Sequence, residues 1–539
     1  MGVLRLFRYY LNKYKDFYIP LKQSSDVKRG NDVFLIDLNA IFHPCCREVF
    51  TPERRLLRPS APKPLDELKL KAFNNITSRI ETLVKVANVR RVIYLAIDGV
   101  AGCCKQSQQR KRRFMGARER SKVNTAFDFA NITCGTAFMK ELNDFILEWA
   151  KEKRKTDWKY LRIIFNGVDV PGEGEHKLVR WISNNKKRFK SWCIYSPDAD
   201  LLMLGLLLDV TSLSILKDNI YSDIKAEFLL VLIDRLKACV LSEMSYVEFA
   251  QLEHNVPDSW DNDRVIKDYV MFLFMLGNDF LPTVSSLDIA SSGIDVLVKA
   301  YCETITTKGY LLSTVNTLNK DSFLELIKKM ALLEPYLIVQ KYISVKTLTP
   351  DLLVRKYLDF SENTPTLDFD NYRVEYYQQK LNFQSQEAQE GDDINRLCEE
   401  YLEGIHFVIQ YYSVGIPTYK WFFNYHYAPL FSDLAKYIDG SKQDLEFKWV
   451  FHKPLHQLEN LISVLAPSSF DILPLEIREH MKTRAQMDSD FSEDFKVDYE
   501  GKKEDYEGIP LINSLEYDKA KMILKKFKLK EVKGYEVEV

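Results

Sequence analysis

The stretch NDVFLIDLNAIFH, residues 31–43, decides the fold. A short unbroken apolar run with one carboxylate near its end reads as a strand covered on both faces, as in a parallel sheet flanked by helices. The pattern recurs downstream. Strands are expected at 33–38, 92–97, 161–165 and 192–195, with a weaker one at 212–216. Helical stretches lie between them, among them 65–87 and 126–151. Strands alternating with long helical patterns predict an α/β fold with a parallel sheet. Ligands of such sheets bind beyond the carboxyl ends of the strands.

Each strand runs to an acid. The first carries Asp37, and 92–97 leads into Asp98 in YLAIDGV. Asp198 and Asp200 follow 192–195 in YSPDADLLMLG. The strand 161–165 leads to VPGEGEHK, with Glu173 and Glu175 on a glycine-rich turn entering a helix. Asp279 stands in MLGNDFLP after a helical apolar run. One such acid is explained by capping of the next helix. Several meeting at one sheet edge repel one another, and divalent cations are the remedy. Hard oxygen donors without His or Cys suit Mg²⁺, with Mn²⁺ as the alternative, rather than zinc. Two such ions about 4 Å apart serve phosphodiester hydrolysis. The acids therefore predict a two-metal nuclease.

Directly after Asp98 comes GVAGCCKQSQQRKRRFMGARERSK. At the helical ~100° per residue, Lys105, Gln109 and Arg112 share a face, with Arg113 beside them. An ammonium, an amide and two guanidinium forks suit a terminal phosphate. Arg110 and Lys111 point elsewhere, an expected contact to a nucleic-acid backbone. A solvated charged helix or a nuclear localisation signal at residues 110–113 is the plainer alternative. The position next to a metal-ligand candidate favours the phosphate.

This local charge matters because 75 Lys and Arg balance 76 Asp and Glu, for a net charge of −1. A near-neutral nucleic-acid protein must gather its positive charge in one place. Length of 539 residues predicts two or three domains. Nine cysteines with no C-x-x-C spacing read as reduced thiols of the cell interior, without a zinc knuckle. No apolar run is long enough to span a membrane, and the N-terminus lacks a signal-peptide pattern. Leu6 stands where myristoylation at Gly2 wants Ser or Thr. A monomer is expected, in the cytoplasm, with the nucleus as the alternative. Residues 384–393 and the acidic 493–507 read as surface segments, and 525–539 as a frayed end.

The ordered motifs resemble those of the 5′→3′ exoribonucleases of the Xrn1/Rat1 type. MGVLRLFRYYLNKY opens the chain, and FLIDLNAIFH, AIDGVA, QQRKRRF, VPGEGEHK, PDADLLMLGL and LGNDFLP follow in family order. YLEGIHFVIQYYSVG, YKWFFNYHYAPLFSDL and EDFKVDYEGKKEDYEGIPLI extend the likeness through the second half. The resemblance implies a PIN/5′-nuclease-like parallel sheet in residues 1–290. It implies a mainly helical second conserved region in 291–539, packed against the sheet domain and closing the active-site pocket. It implies a catalytic metal cluster of Asp37, Asp98, Glu173, Glu175, Asp198, Asp200 and Asp279, holding two ions. It implies a 5′-phosphate pocket of Lys105, Gln109, Arg112 and Arg113, and stacking of the first base between His43 and Trp421. The implied substrate is single-stranded RNA with a 5′-monophosphate, released as 5′-mononucleotides.

The chain departs from the family pattern at Gly102-Cys103-Cys104, where a Pro-Arg-Ala-like step is usual. It departs again at Thr283, usually His, and at Tyr419, often Trp. Two rivals are a DNA flap nuclease, which also clusters acids on a parallel sheet, and a decoy that keeps the fold without the chemistry. The second-half motifs oppose the first, and the retained acids oppose the second.

Overall fold

The computed structural model describes residues 3, 5–22, 30–51, 64–120, 127–249, 260–313, 316–361, 364–384, 391–442 and 444–539. Gly2, Ala126 and the middle of the expected 384–393 loop lie outside them. The described residues form two compact units interleaved along the chain. One comprises 16–234, 452–494 and 514–539 and is here the sheet unit. The other, of 1–15, 235–451 and 495–513, is the helical unit.

The sheet unit is α/β. Strands β1 (Tyr18–Leu21), β2 (Asn31–Asp37), β3 (Val89–Ala96), β4 (Arg162–Asn166), β5 (Trp192–Tyr195), β6 (Leu213–Asp218) and β7 (Phe228–Leu232) join a last strand, Glu536–Glu538. Their order is β1-β7-β6-β5-β2-β3-β4, closed by residues 536–538. The five strands from β6 to β4 are mutually parallel. β2 sits among them with Val33 to Asp37 buried, as its unbroken apolar run requires. In register, Ile36 stands beside Tyr195 on one side and Leu95 on the other, so β2, β3 and β5 end along one edge. Helices Leu65–Ala87 and Gly174–Asn185 pack on β2 and β3, and Ala137–Lys155 packs on β4.

The expected parallel sheet is present in the five central strands, and β7, β1 and residues 536–538 extend it with antiparallel pairs at its two ends. Two other expectations need correction. Residues 536–538 are not frayed. Arg162 grips Glu538 with two bonds of 2.9 and 2.8 Å, and Tyr94 donates to Glu536 at 2.7 Å. The helix expected from 126 begins at Ala137. Gly135 at φ 95° breaks the run, and the Thr136 hydroxyl caps by accepting from the Met139 amide. Residues 493–507 are without a buried member, as expected of a surface segment, whereas Asp392 already starts helix Asp392–Ser413.

The helical unit includes Asn262–Leu273, Gly293–Lys308, Lys320–Ser344, Asp392–Ser413 and Phe431–Gly440. Asp268 and Glu334 are fully buried in its interior. Asp268 accepts from the amides of Leu311 and Leu312 at 2.8 and 3.0 Å and from the Tyr301 hydroxyl at 3.0 Å. Glu334 accepts from the amides of Phe431 and Ser432 at 2.8 and 3.0 Å, capping the helix that starts there.

Burial pushes both carboxyls up to about 7 against these donors. An acid whose folded value is raised stabilises the fold below its unfolded value, near 4, and that stability is lost as pH rises through the folded one. The thermal midpoint is expected to fall between about pH 5 and pH 8. The double variant Asp268→Asn/Glu334→Gln should start lower and show a flatter decline, as read by melts across that range.

Candidate active site

The acids are brought together by backbone contacts that glycine permits. Asp37, the last residue of β2, accepts from the Asn39 amide at 3.1 Å. The Asn39 side-chain oxygen accepts the Asp98 amide at 3.1 Å, which ties the ends of β2 and β3. The Gly99 amide donates to the Gly172 carbonyl, and the Gly172 amide to Val100, both at 2.9 Å. A Cβ on Gly99 would lie 1.9 Å from the Val170 carbonyl oxygen, so only glycine permits this pairing. The pairing delivers Gly174 to Asp98, whose carboxylate accepts the Gly174 amide at 2.6 Å. A Cβ there would stand 2.7 Å from Asp37 Oδ1 and 3.2 Å from Asp98 Oδ1. Helix Gly174–Asn185 thus aims its positive N-terminal end at both acids.

Glu173 and Glu175 flank Gly174 and are buried, as is Asp200 at the first turn of helix Asp200–Leu207. Asp198 is half-buried. Burial, then repulsion from Asp98 and Asp198, holds the Asp37 carboxyl well above the usual range. Burial, then Asp200, does the same to Glu175, with Glu173 and Asp198 adding to it. Asp98 is raised by burial, with the Gly174 amide pulling back and Glu173 pushing further. Six of the seven expected acids belong to this unit and load one sheet edge with negative charge.

Three lysines answer that charge. Lys105, from the basic helix Cys103–Arg120, pairs with Glu173 at 2.7 Å. Lys177 is buried and donates to the carbonyls of Ile97 at 2.6 Å and Gly167 at 3.1 Å, pinning the ends of β3 and β4. Lys217 of β6 is buried and donates to three carbonyls of the loop carrying Asp198. Burial pushes both ammonium groups down to about 8, with Asp98 the largest opposing charge at Lys177 and Asp198 at Lys217. Neither Lys177 nor Lys217 lies in the basic run where phosphate binders are expected. The available signal is a lysine inside the apolar strand LSILKD and another directly after E-x-E-H.

The donor set fits a hard divalent cation. It is all carboxylate, its members raise one another's affinity for positive charge, and Glu175 Oε2 is buried with no hydrogen-bond partner. Among the described residues no three Asp, Glu, His or Cys side chains already close around one point that could hold an ion. Mutual repulsion opposes such closure without a cation, and Lys105 lies against one of the acids.

On the basic helix Arg112 is exposed, while Lys105, Gln109 and Arg113 are half-buried. Arg113 Nε donates to Thr133 Oγ1 at 3.0 Å, and its Nη2 reaches the Ile132 carbonyl at 3.3 Å. Arg110 overturns the expectation of a backbone contact to nucleic acid. Its guanidinium is buried against the rings of Phe114 and Phe491, 4.5 and 5.5 Å away, and donates to the carbonyls of Ser463 and Asp490. His43 is half-buried in helix Asn39–Phe50. Burial, then Arg113 and Arg112, pushes its imidazole down to about 3, so the ring is neutral at physiological pH.

The helical unit carries the remaining expected residues. Asp279 is half-buried in a tight loop where Asn278 Oδ1 accepts the amides of Phe280 and Leu281 at 2.8 and 2.9 Å. Thr283, the departure from His, donates to the Leu276 carbonyl at 2.9 Å and closes that loop. Trp421 stacks on Phe407 at 4.3 Å, and its indole N–H donates to Glu403 at 3.1 Å. The ring lies over Gly404, where a Cβ would come within 3.1 Å of it. Tyr419, the other departure, is buried edge-on to Phe451.

Residues 1–219 match the XRN 5′-3′ exonuclease N-terminus, and residues 259–347 and 361–531 match the Xrn1 helical domain. The 5′-3′ exoribonuclease 1 of Homo sapiens is 25% identical, with 95% of this chain and 33% of its own length covered. For that of Saccharomyces cerevisiae the values are 25%, 95% and 42%. For 5′-3′ exoribonuclease 2 of Candida albicans they are 25%, 95% and 71%. The chain thus spans less than half the length of the first two. Among solved structures, the catalytic core of Rad2 in complex with DNA substrate matches at TM-score 0.32 and 14% identity, covering 72% of this chain and 98% of its own.

The two arginines on this helix should behave oppositely. Arg110→Ala leaves two carbonyls without their donor and removes a buried stack, so urea unfolding should show a loss of about 2–4 kcal/mol. Arg112→Ala removes an exposed side chain and should leave stability within about 0.5 kcal/mol.

Proposed function

This chain belongs to the XRN 5′-3′ exonuclease family, and from that premise we propose that it is a 5′→3′ exoribonuclease acting on single-stranded RNA with a 5′-monophosphate. The observation that carries the reading is the meeting of two charges. A buried carboxylate cluster at the strand ends touches the basic helix through Lys105 and Glu173, 2.7 Å apart. Phosphodiester hydrolysis next to a terminal phosphate calls for these two neighbours.

In this reading Asp37, Asp98, Glu173, Glu175, Asp198 and Asp200, with Asp279, hold two divalent ions, Mg²⁺ or Mn²⁺. Bound there, such ions supply an activated water and charge stabilisation for the leaving oxygen. The chain's own groups orient the RNA. Lys105, Gln109, Arg112 and Arg113 bind the terminal phosphate, Arg112 through a free-standing fork and Arg113 through a guanidinium already anchored at Thr133. His43 and Trp421 are the stacking rings for the first base. A neutral imidazole and an indole held by Phe407 and Glu403 offer π-faces that accept every base. The Gly174 amide and the helix end behind it aim Asp98 and favour its ionised form against the effect of burial. Each turn of the cycle releases one 5′-mononucleotide.

The test uses matched RNAs with 5′-monophosphate, 5′-triphosphate or 5′-hydroxyl ends, and a DNA flap, in Mg²⁺. Mononucleotides should appear from the monophosphate RNA alone, and Asp198→Ala/Asp200→Ala should lower the rate at least about 10³-fold. Equal attack on all three ends would remove the phosphate pocket from the reading. Internal cleavage of the flap would replace the reading with a structure-specific nuclease.

A further inference from the structure

The loop that carries Asp198 and Asp200 is shaped around a buried ammonium. β5 and β6 run parallel with Tyr195 beside Leu216, which sets Lys217 alongside Ser196, the first residue past β5. Lys217 is 4% exposed. Its Nζ donates to the carbonyls of Ser196 at 3.3 Å, Pro197, and Asp198 at 3.0 Å. An ammonium has three protons, and three successive carbonyls take them. Three consecutive carbonyls converging on one point repel one another, and a strand, whose carbonyls alternate in direction, does not present them so. Pro197 offers no amide, and the Asp198 amide is taken by Ser196 Oγ at 3.2 Å. Backbone bonding of residues 196–198 thus relies heavily on side chains, and helix Asp200–Leu207 begins directly after Ala199 without a side-chain cap.

Burying an ammonium is unfavourable unless the surroundings compensate it. Here the carbonyls do so, together with the fields of Asp198, Asp218 and Asp200. We propose that Lys217 is a positioning residue for the reaction: by clamping the Ser196–Pro197–Asp198 carbonyls it fixes where the Asp198 and Asp200 carboxylates point, and so sets the affinity of the acid cluster for divalent cations. The inference rests on the exonuclease reading. Lys217 acts through the backbone and touches no reacting atom. Its two effects on a cation oppose each other, since its charge repels the ion while its hydrogen bonds hold the ligands. Positioning wins, because a loosened carboxylate loses a direct ligand whereas the ammonium's charge is already shared among three carbonyls and the neighbouring acids.

The full chain is compared as wild type, Lys217→Met and Lys217→Arg. Mn²⁺ binding to the RNA-free protein is followed by titration calorimetry, alongside the Mg²⁺ dependence of mononucleotide release. Lys217→Met should weaken Mn²⁺ binding about tenfold or more and raise the half-saturating Mg²⁺ concentration in parallel. KM for RNA should stay within about twofold, and Lys217→Arg should recover most of the affinity. If Lys217→Met fails to fold, Lys217→Leu, which likewise carries no donor, takes its place with the same expectation. Unchanged or tighter Mn²⁺ binding in a folded variant overturns the inference while the wild type still degrades RNA. A wild type that degrades RNA only from other ends overturns the end selectivity alone. A wild type that binds no Mn²⁺ overturns both.

Discussion

Repulsion among carboxylates at one sheet edge is the condition to which the rest of the sheet unit is fitted. Asp37, Glu173, Glu175 and Asp200 are buried, with Asp98 and Asp198 half-buried beside them. No single group answers that charge. The N-terminus of helix Gly174–Asn185 meets Asp98, Lys105 meets Glu173, and Lys177 and Lys217 hold the carbonyls from which the loops depart. Glycine at 99 and 174 is a consequence of the same crowding, because a methyl group at either position would displace backbone or carboxylate. The site stores like charge in a fixed frame, and a frame of that kind gains from a cation more than a flexible one does.

Much of this was legible in the sequence because burial on both faces leaves an unbroken apolar run. The strands read at 33–38, 92–97, 161–165 and 192–195 agree with β2, β3, β4 and β5 to within a few residues, and the helix 65–87 matches Leu65–Ala87. The edges were not legible. β1 is four residues long and half exposed, and residues 536–538 are exposed and charged, so neither leaves an apolar signature. Register against a partner strand far away in the chain makes them strands.

The basic helix shows the limit of face counting. Helical geometry separates Arg110 from Lys105, Gln109 and Arg112, but does not tell whether the opposite face meets solvent or protein. It meets Phe491 and the Ser463 carbonyl, more than 350 residues away in the chain. Lys177 and Lys217 escaped notice for a related reason: a lysine is read as a surface group until the carbonyls around it are seen. Trp421 differs. Its neighbours Glu403, Gly404 and Phe407 lie on one helix, and the need for a residue without a side chain beneath the ring follows only from the packing.

The pairing of β4 with residues 536–538 has a consequence for the order of assembly. Arg162 and Glu538 are 376 positions apart. During vectorial synthesis β4 emerges with a bare outer edge, and the whole helical unit is translated before its partner strand leaves the ribosome. An uncovered edge is a template for strand exchange between nascent chains. The half-exposed, charged Arg162 and the short length of β4 protect that edge until the sheet is closed, at the cost of slow, non-local contacts late in folding.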